Sequence, residues 1–288
     1  MAVRIAVIGD VHRRFDDRDV AWLDASDYDL ILFVGDLAGY RQREGLQVAR
    51  IIARLRKPAL VLPGNHDGPH LLQLAAEVFG WGLAPHLGGR MHRRVARLER
   101  ALAPVPLAGY SLHPRSVGGL DFTVLAARPH SFGGPGWPLG KYMRRRFGVR
   151  SMQDSADKLR ALVDQAPHER LVLLAHNGPA GLGSTRDAIF GCDFRPEEGD
   201  WGDSDLQAAI DHARKRGKRV LAVAAGHMHH AVKGGGRRPT TAERDGTLHV
   251  NAARVPRIFR REGRVLRHHV RLELHEDHAR AEERLVEL

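Results

Sequence analysis

Five short clusters in this chain combine carboxylate, imidazole and amide side chains: Asp10-Val11-His12, Gly35-Asp36, Gly64-Asn65-His66-Asp67, His176-Asn177 and Gly226-His227-Met228-His229. Each group can donate a lone pair to a divalent cation. No thiolate is among them, and a mixture of imidazole and oxygen donors suits Mn²⁺, Fe or Zn²⁺ better than Ca²⁺, which prefers oxygen alone. Two such ions held roughly 3.5–4 Å apart can activate water and clamp the oxygens of a phosphoryl group, and a carboxylate is the natural bridge between them. The glycines before Asp36, Asn65 and His227 permit tight turns and close backbone approach at those points.

Such residues must be positioned by regular elements. Short apolar runs alternate with helical patterns, which predicts an α/β fold. Strands are expected at Val3–Ile8, Leu30–Val34, Ala59–Leu62, Val105–Tyr110, Asp121–Ala127, Leu171–Ala175, Val220–Ala225, Thr247–Val250 and Val265–Leu274. Helices are expected at Arg18–Ala25, Gly45–Leu55, His70–Val78 and Ser151–Gln165, the last with Ser151 as its cap. Several strands are apolar at nearly every position, as strands buried on both faces are. All five clusters directly follow a predicted strand, and in open α/β sheets ligands gather outside the carboxyl ends of the strands. One domain is expected over residues 1–275, with 276–288 as a charged tail of helical character.

The ordered set Asp10-x-His12, Gly35-Asp36, Gly64-Asn65-His66-Asp67, His176 and Gly226-His227-x-His229 resembles the signature blocks of the calcineurin-like metallophosphoesterase superfamily. A single block is a weak signal, whereas five in order, each at a strand end, are a strong one. The resemblance implies a four-layer α/β/β/α sandwich of two mixed sheets. It implies two divalent transition-metal ions, Mn²⁺ first, with Fe, Zn²⁺ and Ni²⁺ as alternatives. Asp10, His12 and His229 would hold one ion, Asn65, His176 and His227 the other, and Asp36 would bridge them. His66 would act as general acid or as a cation beside the leaving oxygen. The implied reaction is hydrolysis of a phosphomonoester or phosphodiester by hydroxide bridging the ions. One departure stands out: many relatives extend the second block to Gly-Asp-x-x-Asp-Arg, whereas here it reads Gly35-Asp36-Leu37-Ala38-Gly39-Tyr40. The carboxylate that partners the catalytic histidine in those relatives is absent, so the sequence does not show what orients His66.

Further residues are candidates for substrate contact. Arg128 and His130 open a Pro/Gly-rich loop at 128–148, Asn177 follows His176, and Asn251 ends another strand. His230 and Arg144–Arg146 are expected at the surface, and Trp81, Trp137 and Trp201 in packing roles or at the rim of a base-binding site. Residues 81–100 and 128–148 are the loops expected to set specificity. The net charge is +11, and of 45 basic residues six are lysines, leaving 39 arginines. Such a surplus favours anionic partners. A small phosphate ester is the first expectation. A nuclease acting on DNA or RNA is an alternative, and a non-catalytic metal-stabilised scaffold is another. The single Cys192 excludes an internal disulfide and a Cys-rich metal site. With no apolar run of bilayer length and no signal-peptide pattern at the start, a cytoplasmic protein without membrane partners is expected.

Overall fold

The computed structural model of the 288-residue chain describes residues 2–78, 81, 90–195, 197 and 199–288. Strand β1 (Val3–Ile8) leads through helix α1 (Asp17–Ala25) to β2 (Leu30–Phe33), then through α2 (Gln42–Ile52) to β3 (Ala59–Val61). Helices α3 (Leu71–Val78) and α4 (Met91–Leu102) precede the hairpin β4 (Ser111–Val117) and β5 (Leu120–Ala126). Helices α5 (Gly140–Phe147) and α6 (Met152–Gln165) lead to β6 (Arg170–Leu174), and α7 (Ser204–Lys215) leads to β7 (Arg219–Ala225). The chain closes with β8 (Thr241–Arg244), β9 (Thr247–Asn251), β10 (Ile258–Arg261), β11 (Arg264–Leu274) and β12 (Ala279–Glu287).

These strands form two six-stranded mixed sheets. In the first, β1, β2 and β3 run parallel, and β11 pairs antiparallel with β1, β10 and β12. In the second, the order is β4-β5-β6-β7-β9-β8, with β5, β6, β7 and β9 parallel. Alternation along the strands builds the layers. Val3, Ile5 and Val7 of β1 join Val172 and Leu174 of β6 in a core between the sheets. Ala6 and Ile8 turn the other way, toward α1, α2 and α4. Leu171 and Leu173 of β6 turn toward α5, α6 and α7. Three apolar cores between four layers make the α/β/β/α sandwich, and they explain why the central strands carry no polar face. Among the described residues no helix is long and apolar enough to cross a membrane.

Two expectations are corrected. The tail is not helical: β12 pairs with β11 over nine residue pairs, from Leu266–Glu287 to Leu274–Ala279, and so belongs to the first sheet. Its Ala, Glu, Arg and Leu content suits a helix, but an open β11 edge gives the backbone a complete ladder, and tertiary pairing overrides local propensity. Nor is Val105–Tyr110 a strand. It makes a single parallel bridge, Leu107 with Val61, because Pro104 and Pro106 have no N–H for a ladder. The strand beside β5 is the polar, proline-containing β4, whose edge position tolerates Pro114. Gly88-Gly89 lies outside the described residues, and Met91–Leu102 of the basic stretch is helical.

A buried ion cluster joins the first helix to the last sheet strands. Asp19 accepts from Arg257 Nη1 and Nη2 at 3.0 Å and from Arg267 Nη1 at 2.7 Å, and all three residues are buried. Asp19→Ala would leave the buried Arg257 without a carboxylate and Arg267 with Asp16 alone, a loss of about 3–5 kcal/mol. Urea unfolding followed by circular dichroism is the measurement, and an unchanged midpoint would refute it.

Two more buried groups contribute to the pH response. Burial pushes His249 down to about 4, with Arg244 adding to the effect, and pushes His269 down to about 3, with Arg257 adding. Tyr28 Oη lies 2.6 Å from His269 Nε2, so the neutral ring accepts the phenol proton. In the unfolded chain both rings titrate near 6.5. Between those values the unfolded state binds the extra protons, so stability is full above about 6.5 and is lost as pH falls. The contribution of these two rings to the unfolding free energy is expected to drop between pH 7 and pH 5. His269→Gln should flatten that slope by about 1.4 kcal/mol per pH unit.

Candidate metal centre

The carboxyl ends of β1, β2, β3, β6 and β7 meet where the two sheets come together, and each delivers its polar cluster there. Ligand-capable atoms of Asp10, His12 and His229 lie within 4.8 Å of one another, as do those of Asp36, His176 and His227. The two groups touch through His12 Nε2 and Asp36 Oδ2, 3.7 Å apart. Asn65 joins the second group, its Oδ1 2.9 Å from His176 Nε2. All seven sequence-predicted ligands thus converge.

The backbone is bent to achieve this. Asp10, His12, Asp36 and His227 have φ of 41°, 39°, 51° and 68°, in the left-handed region. Such conformations cost roughly 1–3 kcal/mol each and persist only where surrounding contacts enforce them. Those contacts are present: His12 N–H donates to the Asp36 carbonyl at 2.7 Å, His66 N–H to Asp36 Oδ1 at 2.9 Å, and His227 N–H to Asp10 Oδ1 at 3.0 Å. Asp67 accepts from Ala38 N at 3.0 Å and Gly64 N at 2.8 Å, tying the turn after β2 to that after β3. Gly64 has no alternative, since a Cβ there would run into Asp36 Oδ1 and His176.

Four of the imidazoles are anchored by the outer nitrogen. His12 Nδ1 lies 3.1 Å from the Ala38 carbonyl, His66 Nδ1 2.6 Å from that of Gly39, His176 Nδ1 2.6 Å from that of Val34, and His227 Nε2 3.0 Å from that of Phe132. A carbonyl can only accept, so each of these nitrogens carries a proton, and in a neutral ring the inner nitrogen then presents a lone pair. This is the outer-shell arrangement of metal-binding histidines. It also answers the missing carboxylate of the second block: the backbone of Gly39 orients His66.

The inner atoms fit a cation. His12 Nε2 is buried without a hydrogen-bond partner, an arrangement that is costly unless another ligand satisfies it, and Asp10 Oδ2 faces only the His229 Nε2, at 3.2 Å. His176 Nε2 and Asn65 Oδ1 lie 2.9 Å apart, so without an ion a ring protonated at both nitrogens donates to the amide oxygen, and a cation would take that proton's place between them. Burial opposes charge on both carboxylates, yet His229, His176 and His12 hold Asp10 well below the usual carboxylate range. His66, His176 and His12 likewise lower Asp36. Burial, helped by His176, holds His227 down at about 3, so its ring stays neutral and able to ligate.

The predicted substrate-contact residues sit behind this centre rather than facing a ligand. Arg128 is buried against Asp203 (2.7 Å) and Asp205 (2.9 Å), with its guanidinium 5.5 Å from the Trp137 ring. His130 Nδ1 donates to the Gly64 carbonyl at 2.9 Å, and Asn177 Nδ2 to that of Trp201 at 2.8 Å. Asn251 Nδ2 donates to Met228 O at 2.7 Å and Ile189 O at 3.1 Å, bracing the turn between His227 and His229. His230, expected at the surface, is buried because its Nε2 binds the Asn251 carbonyl at 2.8 Å. Arg144–Arg146 are exposed, as expected. Sequence reasoning missed Arg238. It is buried, donates to the His229 carbonyl at 2.6 Å and pairs with Asp193 at 3.1 Å. Its place in a Gly/Arg turn gave no sign of this.

A bracing role for Asn251 has a distinct signature. Asn251→Ala should lower metal content or affinity about 10- to 100-fold, the usual effect of outer-shell changes. Metal analysis after dialysis reads this directly, and a variant with full metal content but a raised KM would return Asn251 to substrate contact.

The profile of the calcineurin-like phosphoesterases matches residues 3–231. Comparison with curated proteins finds no match. Among solved structures, protein TT1561 of Thermus thermophilus aligns with a TM-score of 0.59 at 12% identity, covering 98% of this chain and 99% of that one. NAD nucleotidase (NadN) of Haemophilus influenzae aligns with a TM-score of 0.52 at 11% identity, covering 100% of this chain and 50% of that one. At such identities the likeness concerns the fold. The profile spans most of the chain and all five clusters, and the protein belongs to the calcineurin-like phosphoesterase family.

Proposed function

We propose that this protein is a binuclear metal-dependent phosphoric ester hydrolase. One observation supports it above others: two abutting groups of ligand atoms, joined at Asp36, with three of the four histidines, His12, His176 and His227, already turned inward by backbone carbonyls. Asp10, His12 and His229 would hold one ion, Asn65, His176 and His227 the other, with Asp36 between. Mn²⁺ is the ion proposed. When bound, the pair supplies an activated water at neutral pH and neutralises phosphoryl charge.

The protein's own residues do the rest. A cavity of about 220 Å³ lined by Asp36, Asn65, His66, His227, His229 and Arg238 is sized for a phosphoryl group. His66, anchored at Gly39, points Nε2 toward this space, 4.0 Å from Asp36 Oδ2. As an imidazolium it donates the Nε2 proton to the leaving oxygen. Arg238 lines the same wall as an ion pair with Asp193, which lines it too.

A polynucleotide substrate is the second reading. It rests on the exposed arginines of α4 and α5, among them Arg93, Arg97, Arg144 and Arg145. Oligonucleotide cleavage that falls steeply with salt would favour it.

The test uses purified protein loaded with Mn²⁺ and offered a nitrophenyl phosphodiester and a monoester. Hydrolysis of at least one is expected, and Asp36→Asn should abolish it. His66→Gln should lower kcat about 10²–10⁴-fold, the usual range for a lost proton donor, with metal content retained. No turnover with Mn²⁺, Fe²⁺, Zn²⁺ or Ni²⁺ would refute the proposal.

A further inference from the structure

The cavity beside the ligand cluster is not isolated. A second cavity of about 510 Å³ adjoins it, and Asn65, Phe194 and His227 line both. An ester whose phosphate sits among the ligands therefore projects its organic group past Phe194 into this second space.

Four aromatic side chains, set among glycines and prolines, line that space. Phe132, Trp137, Phe194 and Trp201 contribute rings, and Glu77 and Arg195 contribute opposite charges. The rings are held in place. Trp201 Nε1 donates to the Phe132 carbonyl at 2.9 Å. The backbone at Gly134 lies flat against the Trp201 indole, where a Cβ would come within 2.8 Å of Cδ2. Trp137 is backed by the buried Arg128. Phe194 meets Trp201 edge to face at 5.1 Å and is 45% exposed. Its ring is thus supported on one side and open on the other, at the junction of the two cavities.

Fixed aromatic rings with an open face stack flat heteroaromatic groups, and they do so for any base. A volume of this size accommodates a ligand well beyond a methyl or glyceryl group. A carboxylate and a guanidinium on the same wall can pair with ring donors and acceptors, which a nucleobase has and a plain phenyl group lacks. Glu77 is half-buried, and its Oε1 accepts from Leu139 N at 3.2 Å, which fixes the carboxylate at the cavity edge.

We propose that the aromatic cavity is the nucleoside subsite, that Phe194 is its stacking platform, and that the natural ester is a nucleoside phosphate. This rests on the hydrolase reading for the phosphate site, but the subsite can be tested without turnover.

Adenosine, guanosine, cytidine and uridine, which carry no phosphate, are titrated into the metal-loaded protein while tryptophan fluorescence is followed. Saturable quenching by at least one nucleoside, and none by ribose, is expected. Phe194→Ala should weaken it about tenfold or more, in line with loss of one stacking contact. The variant's melting curve checks that its fold is intact. No saturable quenching by any nucleoside, or equal affinity in Phe194→Ala, would overturn the proposal. In the turnover arm, kcat/KM for the best nucleoside monophosphate should exceed that for glycerol phosphate by at least tenfold. Equal values, or a preference for phenyl phosphate over every nucleotide, would overturn the subsite while leaving the hydrolase intact. Absence of all turnover with nucleoside quenching present would sink the hydrolase reading and spare the subsite.

Discussion

Two sheets packed face to face must here approach within a backbone's width at one end, and the rest of the site follows from that constraint. The clasp is the His176 imidazole, which leaves the end of β6 in one sheet and donates to the Val34 carbonyl at the end of β2 in the other. It closes only because neighbouring positions have no side chain. A Cβ at Gly9 would strike the Ala252 carbonyl, at Gly35 the backbone of Gly64, and at Gly226 the Asp10 carboxylate. With the sheets this close, hydrogen bonds cross between strand ends that are far apart in sequence, such as His227 N–H to Asp10. The left-handed turns of four ligand residues follow from the same crowding, since the chain must reverse at once after each strand.

Much of this was legible in the residues. Strands such as Leu30–Phe33, apolar throughout, announced burial on both faces, and the polar cluster after each marked the sheet edge where ligands gather. The glycines before Asp36, Asn65 and His227 were readable as points of close approach. What orients the ligands was not legible, because the partners are backbone carbonyls of Ala38, Gly39, Val34 and Phe132, and every residue has one. Arg128 illustrates a related limit. Its type and position suggested a phosphate contact, but the carboxylates that claim it, Asp203 and Asp205, lie more than seventy residues away in the chain. The strand β12 failed to declare itself because its alternation is between exposed and half-buried positions, with charges on both faces.

The arginine surplus divides into two populations. Arg128, Arg238, Arg257 and Arg267 are buried, each bridging carboxylates or carbonyls from separate elements. A planar guanidinium has five donors in a fixed fork, against three on an ammonium group, and so can hold more such acceptors in a defined geometry. Part of the basic excess is therefore internal scaffolding. The exposed remainder on α4 and α5 is what an anionic partner would meet.

The carbonyl of Phe132 receives two hydrogen bonds, from the imidazole of His227 and from the indole of Trp201. A ligand of the cation centre and a wall of the neighbouring hollow thus share one mooring. That mooring is main chain, so it is indifferent to which side chain position 132 bears. Mutational drift at that position can reshape the hollow while the imidazole stays where it is. Displacement of the loop itself would disturb both at once.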